Sequence, residues 1–234
     1  MKENLRITTV QTSLHWEDIE ANLSMFSKKL ESLAGQTDLV VLPEMFTTGF
    51  SMEPSKLAEG MSGKTMQWLQ EQAKRLDAAV TGSFIATEGG KFFNRLVWMQ
   101  PDGNFQTYDK RHLFTLAGEH EAYTAGRKKL LVEWQGWKFY PLICFDLRFP
   151  IWSRNAEGYD VLIYVANWPD RRSFHWQQLL VARAIENQTY VVGVNRVGKD
   201  EKGLTYSGDS SVVDFSGKTL YRASEIEAIF TSSL

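Results

Sequence analysis

Cysteine is almost absent from this chain: Cys144 is the only one in 234 residues. A lone cysteine excludes an intramolecular disulfide and suits a reducing compartment, where a thiol stays usable. Histidine is scarce too. His15, His112, His120 and His175 form no H-x-x-x-H or H-E-x-x-H spacing, so no metal site is expected. No stretch approaches the ~18 apolar residues of a membrane span. The start, Met-Lys-Glu-Asn-Leu, holds no apolar signal core. A cytoplasmic protein without a membrane partner is the expectation. Lysine and arginine form no stripe, and the net charge is −2, which argues against nucleic-acid binding. No low-complexity run or Pro/Gly-rich linker divides the chain, so residues 1–234 read as a single domain.

What is present is apolar and patterned. Hydrophobic residues make up 43% and aromatics 13%, enough for a substantial core and too much for disorder. Leu5–Gln11 reads as a first strand. Ile19, Leu23, Phe26, Leu30 and Leu33 recur at steps of four and three, predicting a helix over 18–33 that Gly35 ends. Met66, Leu69, Ala73 and Leu76 mark a second helix. Strands are expected near 79–86, 92–100 and 105–110, with a turn at Pro101-Asp-Gly-Asn. A short helix from about Ile151, a strand over 160–166, a helix over 174–187 and a strand over 190–195 follow. A hairpin turns at Ser216-Gly217, and 228–231 is a final strand. Strand–helix–strand units flanking hairpins imply an α/β fold with helices on the outer faces; three layers and four are both compatible with the pattern.

Three strand ends carry chemistry. In Pro-Leu-Ile-Cys144-Phe-Asp-Leu-Arg-Phe-Pro, the apolar stretch 139–145 delivers the thiol to the end of a buried strand, and a turn follows. Backbone N–H groups at such a turn can hold a developing oxyanion. The plainer reading is an inert core cysteine. In Asp-Leu-Val-Val-Leu-Pro-Glu44, a buried strand ends in a carboxylate, which alone would be an ordinary surface acid. In Phe-Gln-Thr-Tyr-Asp-Lys110-Arg-His-Leu-Phe, a strand delivers a lysine, which alone would belong to a solvated basic loop.

Taken together and in order, these segments resemble the nitrilase, or carbon–nitrogen hydrolase, superfamily. The Phe93-Asn94-Arg95 and Pro101-Asp-Gly103 segments, Asn167-Trp168-Pro169 and the run 182–188 match as well. The resemblance implies a four-layer α-β-β-α sandwich with the site at strand ends between two sheets. It implies Glu44 as general base, Cys144 as nucleophile, and Lys110 as oxyanion holder beside the Phe145 N–H. A second glutamate seven residues before a glycine corresponds to Glu119 before Gly126, with Glu121 as a near rival. Arg148 and Trp168 are candidate substrate-binding residues, although an arginine there is more often structural and a tryptophan more often core. His175-Trp176, the run 182–188 and Gly193-Val-Asn-Arg-Val-Gly198 look most like the bacterial omega-amidase branch.

The chemistry that resemblance implies needs no cofactor and no metal. A small carboxylate-bearing amide, such as 2-oxoglutaramate or 2-oxosuccinamate, is the expected substrate, with Arg148, Arg171 and Arg172 as possible carboxylate partners. A Cys144 pair with His112 or His120 is a further possibility. N-carbamoyl hydrolysis, nitrile hydrolysis and a scaffold without turnover are the alternatives. Family members commonly pair as homodimers. The family's C-terminal tail has no counterpart after Ser232-Ser233-Leu234, so a weakened or altered homodimer is expected.

Overall fold

The computed structural model describes residues 4–234. The chain builds two sheets. The first runs in the order β13-β1-β2-β3-β4-β5, from β1 (Arg6–Gln11), β2 (Leu39–Val41), β3 (Ala79–Glu88), β4 (Lys91–Met99), β5 (Phe105–Asp109) and β13 (Ala228–Ser233). The second runs β10-β11-β9-β8-β7-β6, with β12 also on β11. Its strands are β6 (Val132–Trp134), β7 (Trp137–Ile143), β8 (Val161–Ala166), β9 (Tyr190–Asn195), β10 (Val197–Lys199), β11 (Thr205–Val213) and β12 (Thr219–Ser224). Each sheet is built on a parallel trio, β1-β2-β3 in one and β7-β8-β9 in the other, with antiparallel strands added at the flanks.

Helices α1 (Ile19–Leu30) and α3 (Lys64–Leu76) cover the outer face of the first sheet. Asp18 caps α1 by accepting the Ala21 N–H at 2.9 Å, satisfying a donor that the helix itself cannot. The apolar stripe continues past Leu30 as one 3₁₀ turn, Glu31–Leu33, so the expected helix over 18–33 is an α-helix with a tightened end. Phe26 and Leu30 pack with Val40, Leu42, Val80, Val97 and Met99. The alternate residues Leu39, Val41, Leu96 and Trp98 face the other way, into the core shared with the second sheet. Trp98 meets Phe139 across that core with ring centroids 4.8 Å apart. On the far side, α6 (Ser173–Asn187) buries Trp176, Leu180 and Ala184. The order is helix, sheet, sheet, helix, the four-layer arrangement expected. Three short helices, α2 (Pro54–Leu57), α4 (Glu119–Ala122) and α5 (Pro150–Ser153), lie in the connections.

Two expected strand ends differ in detail. β2 stops at Val41, so Glu44 stands in the turn after it. β7 stops at Ile143, so Cys144 opens a 3₁₀ turn, Cys144–Arg148. Pro43 lacks the N–H that continued pairing needs, and Cys144 has φ +45°, which no strand tolerates. Both chemical groups therefore sit just beyond the carboxyl ends of parallel strands, where open α/β sheets bind ligands.

The seat of α6 depends on Gly193. A Cβ built there would lie 2.6 Å from Leu180 Cδ1 and 2.9 Å from the Trp176 ring. Gly193→Ala should therefore force α6 off β9 and lower stability by about 1–3 kcal/mol, read as a fall in Tm; an unchanged Tm would show that α6 gives way without cost.

Candidate active site

Three buried charges meet between the sheets. Lys110, one residue past β5, places Nζ 2.8 Å from Glu44 Oε1 and 2.9 Å from each oxygen of Glu119 on α4. All three side chains are fully shielded from solvent. The Lys110 backbone is fixed as well: its N–H donates to Asn94 O at 3.0 Å, and its carbonyl accepts the Gly126 N–H at 2.9 Å. Only glycine fits at 126, because a Cβ there would fall 2.0 Å from Asp109 O.

The carboxylates are oriented by amides. Asn94 Nδ2 donates to Glu44 Oε1 at 2.8 Å and to Glu119 Oε1 at 3.3 Å. The Asn167 N–H donates to Glu44 Oε2 at 2.7 Å, and Asn167 Nδ2 donates to Glu44 O. Phe114 N–H donates to Glu119 Oε2. Each of these hydrogen bonds to the Glu44 and Glu119 carboxyl oxygens comes from a donor, the partner that a buried carboxyl oxygen needs.

Cys144 faces the same cluster, and Glu44, Lys110 and Glu119 are the charges that act on its thiol. Burial, then repulsion from Glu44, hold its thiol well above the ordinary range, against the pull of Lys110. Burial opposes the Lys110 charge, but Glu119 and Glu44 outweigh it and hold the ammonium above its ordinary value. Burial raises the Glu119 carboxyl, which Lys110 pulls down and Glu44 pushes up. The arrangement presents a protonated thiol, an adjoining carboxylate to take its proton, and a permanent cation. Phe145 is the second residue of the turn, where N–H groups have no carbonyl partner within the helix.

A cavity of about 400 Å³ opens at Cys144, a size suited to a small ligand. Phe50, Phe114, Phe145, Trp168 and Tyr206 are among its walls, and Arg148, Arg171 and Arg172 reach it together. Arg148 lies 4.9 Å over the Trp168 ring, and Arg172 lies 5.0 Å over Phe114. Burial and the nearby Arg171 lower the Arg172 pKa, the mark of a cation short of negative partners.

Of the residues expected from sequence, Glu44, Lys110, Cys144 and Glu119 come together, while the rival Glu121 is exposed. Phe145, Arg148 and Trp168 line the cavity. The histidine alternative finds no support: the His112 ring is hydrogen-bonded to Asp146 at 2.8 Å, and His120 is exposed. Sequence reading gave no role to Asn94 or Asn167. An amide inside the strand run of β4 (Asn94) and one directly after the apolar run of β8 (Asn167) were their signals, since a buried amide must find partners. Tyr206 carried no signal.

The carbon–nitrogen hydrolase profile matches residues 6–232. The chain belongs to the carbon–nitrogen hydrolase family. This hydrolase is 48% identical to the omega-amidase YafV of Escherichia coli over 227 residues, 96% of this chain and 87% of that one. It is 31% identical to the 2-oxoglutaramate amidase of Bacillus subtilis, over 97% of this chain and 90% of the relative. Its fold superposes with a TM-score of 0.97 on XC1258 of Xanthomonas campestris, a CN-hydrolase superfamily protein with an arsenic adduct in its active site. The two are 48% identical, and the match covers 99% of this chain and 91% of that one. Among the described residues, no helix of this hydrolase is long and apolar enough to cross a membrane.

The raised thiol gives a pH signature. A free cysteine reaches half ionisation at about pH 8.5. With Cys144 held above that, its inactivation rate by iodoacetamide should keep climbing as the pH passes that point. A rate that levels off below it would contradict the buried, protonated thiol.

Proposed function

We propose that this hydrolase is an omega-amidase, releasing ammonia from the terminal amide of a small carboxylate-bearing acid such as 2-oxoglutaramate or 2-oxosuccinamate. The observation that carries the reading is the joining of the Glu44–Lys110–Cys144 cluster to a cavity with three arginines. Identity to omega-amidases and 2-oxoglutaramate amidases supports it.

In this reading Glu44 takes the Cys144 proton, and the sulfur attacks the amide carbon. The carbonyl electron pair moves to oxygen, and the resulting oxyanion is met by Lys110 and the Phe145 N–H. An ammonium carries three N–H donors; with one directed at Glu44 and one shared between the two oxygens of Glu119, the third is left for the oxyanion. Glu44 returns its proton to the departing nitrogen, the C–N bond breaks, and ammonia leaves a thioester on Cys144. Water, deprotonated by Glu44, then attacks the thioester carbon; the C–S bond breaks, and the acid and free thiol are released. Glu119 acts through Lys110, holding its ammonium in place.

Arg172 is the carboxylate partner we favour, because it is half-buried at the cavity, flanked by Arg148 and Arg171, and rests on Phe114. A planar guanidinium can grip a carboxylate with two parallel hydrogen bonds. The reducing cytoplasm, which keeps the lone thiol usable, is the compartment we favour.

The function is tested by ammonia release from a 2-oxo-acid amide and from its methyl ester. The free acid should be strongly preferred, and Arg172→Met should raise KM for the acid about 10- to 100-fold, with the ester little changed. Equal rates on acid and ester, or faster release from a nitrile or an N-carbamoyl compound, would remove the omega-amidase assignment.

We further propose a homodimer built on the α5–α6 face. Ile151 on α5 is 90% exposed, and Phe174 and Ile185 on α6 are 69% and 53% exposed, large apolar side chains that pairing would remove from water. Sedimentation over a range of concentrations should give twice the monomer mass; Ile151→Asp with Phe174→Asp should give the monomer. A wild type that is monomeric throughout would refute the pairing.

A further inference from the structure

Asp146 lies two residues beyond Cys144, is fully buried, and is not among the charges used above. Its carboxylate accepts from Ile143 N–H at 3.1 Å, the Tyr108 hydroxyl at 2.7 Å, His112 N–H at 2.9 Å and the His112 ring Nδ1 at 2.8 Å. The Tyr108 oxygen in turn accepts from Trp152 Nε1 at 3.0 Å and Arg111 N–H at 3.2 Å. The His112 ring is stacked on Phe149, with centroids 3.7 Å apart and planes 5° from parallel.

The placement of these donors is informative. Ile143 immediately precedes the nucleophile, whose backbone turns through φ +45° there. Tyr108, Arg111 and His112 flank Lys110 on both sides. Cys144 follows a strand of the second sheet and Lys110 a strand of the first. One carboxylate thus bonds the backbone on the nucleophile's side of the site and the segment that carries the cation on the other.

We infer that Asp146 is a positioning residue: it sets the turn that holds Cys144 and the Phe145 N–H against the loop that holds Lys110, so that sulfur, N–H and ammonium meet one carbonyl group. It touches neither substrate nor reacting atoms. The inference rests on the amidase reading. It accounts for a buried anion whose partners otherwise have no common purpose; a carboxylate serving packing alone would more cheaply be an apolar side chain. The carboxylate also cannot be exchanged for an amide, since all its contacts are donors and an amide nitrogen would oppose one of them.

The test compares variants with wild type in the ammonia-release assay. Asp146→Asn keeps the shape and loses the charge. Misplacing reacting groups by about 1 Å can cost ~10²-fold in rate, so kcat should fall about that far while KM, set at the arginine end of the cavity, stays within about threefold. A second pair guards against misfolding. His112→Phe keeps a ring on Phe149 and removes the Nδ1 donor, whereas His112→Asn places an amide N–H where Nδ1 stood. His112→Phe should lower kcat about 10-fold, and His112→Asn should recover most of that loss. Wild-type kcat in Asp146→Asn would overturn the inference. So would equal losses in the two His112 variants, or losses that only follow the folded fraction measured by thermal unfolding. If Asp146→Asn does not fold, the His112 pair decides. A wild type inactive on every amide would remove the amidase reading, and this inference with it; an active wild type with indifferent variants removes the inference alone.

Discussion

The rest of the site depends on one ammonium held between two carboxylates in a place shielded from solvent. Lys110 alone would be an uncompensated buried charge, and so would Glu44 or Glu119. Each makes the others admissible. Coulomb attraction in so low a dielectric offsets the desolvation of all three only because the geometry is close and both oxygens of each carboxylate are also occupied by a donor other than Lys110. The amide donors of Asn94 and Asn167 and the Phe114 N–H supply that occupation, and they come from β4, from the turn after β8 and from the loop before α4. The fold must therefore bring strands from both sheets to one level before the cluster becomes favourable at all.

The two parallel trios explain how it does so. Parallel strands all end on the same side, so the turns after β2, β7 and β8 open toward a common region, and two such sheets packed face to face present their turns to each other. Apolar residues on the inward faces, Leu39, Val41 and Trp98 against Phe139 and Leu142, fix the separation of the sheets. Function enters only at the rim, where the apolar runs stop.

That division also decides what could be read from the chain. Glu44, Lys110 and Cys144 were legible because each follows directly on an apolar or alternating run, and a chemically capable residue at such a border stands out. The long helices were legible by their three- and four-residue spacing. Asn94 was visible as part of a motif, but its role needed the knowledge that Glu44 and Glu119, 50 and 25 positions away, both point at it. β11 was read only through the hairpin at Ser216-Gly217 that joins it to β12, and its bounds were hidden because Gly208 and Asp209, both with positive φ, interrupt its alternation and create a register shift in that pairing. β6 and β10, at three residues each, are too short to show any period. The three arginines were legible as a set of candidates from their nearness in sequence to the proposed site. Their joint arrival at one cavity is a fact of tertiary packing, since Arg148 stands after β7 while Arg171 and Arg172 follow β8.

The left-handed backbone at Cys144 sets stability against activity at a single residue. A side chain at φ +45° carries a steric cost on the order of 1–3 kcal/mol that glycine would not. The same kink swings the sulfur out of the strand direction and toward Glu44. Any process that screened this position for thermal robustness alone would drift toward glycine and discard the thiol. The cysteine persists there as a local disadvantage to the fold, kept by chemistry and tolerated because a large two-sheet core can carry the cost.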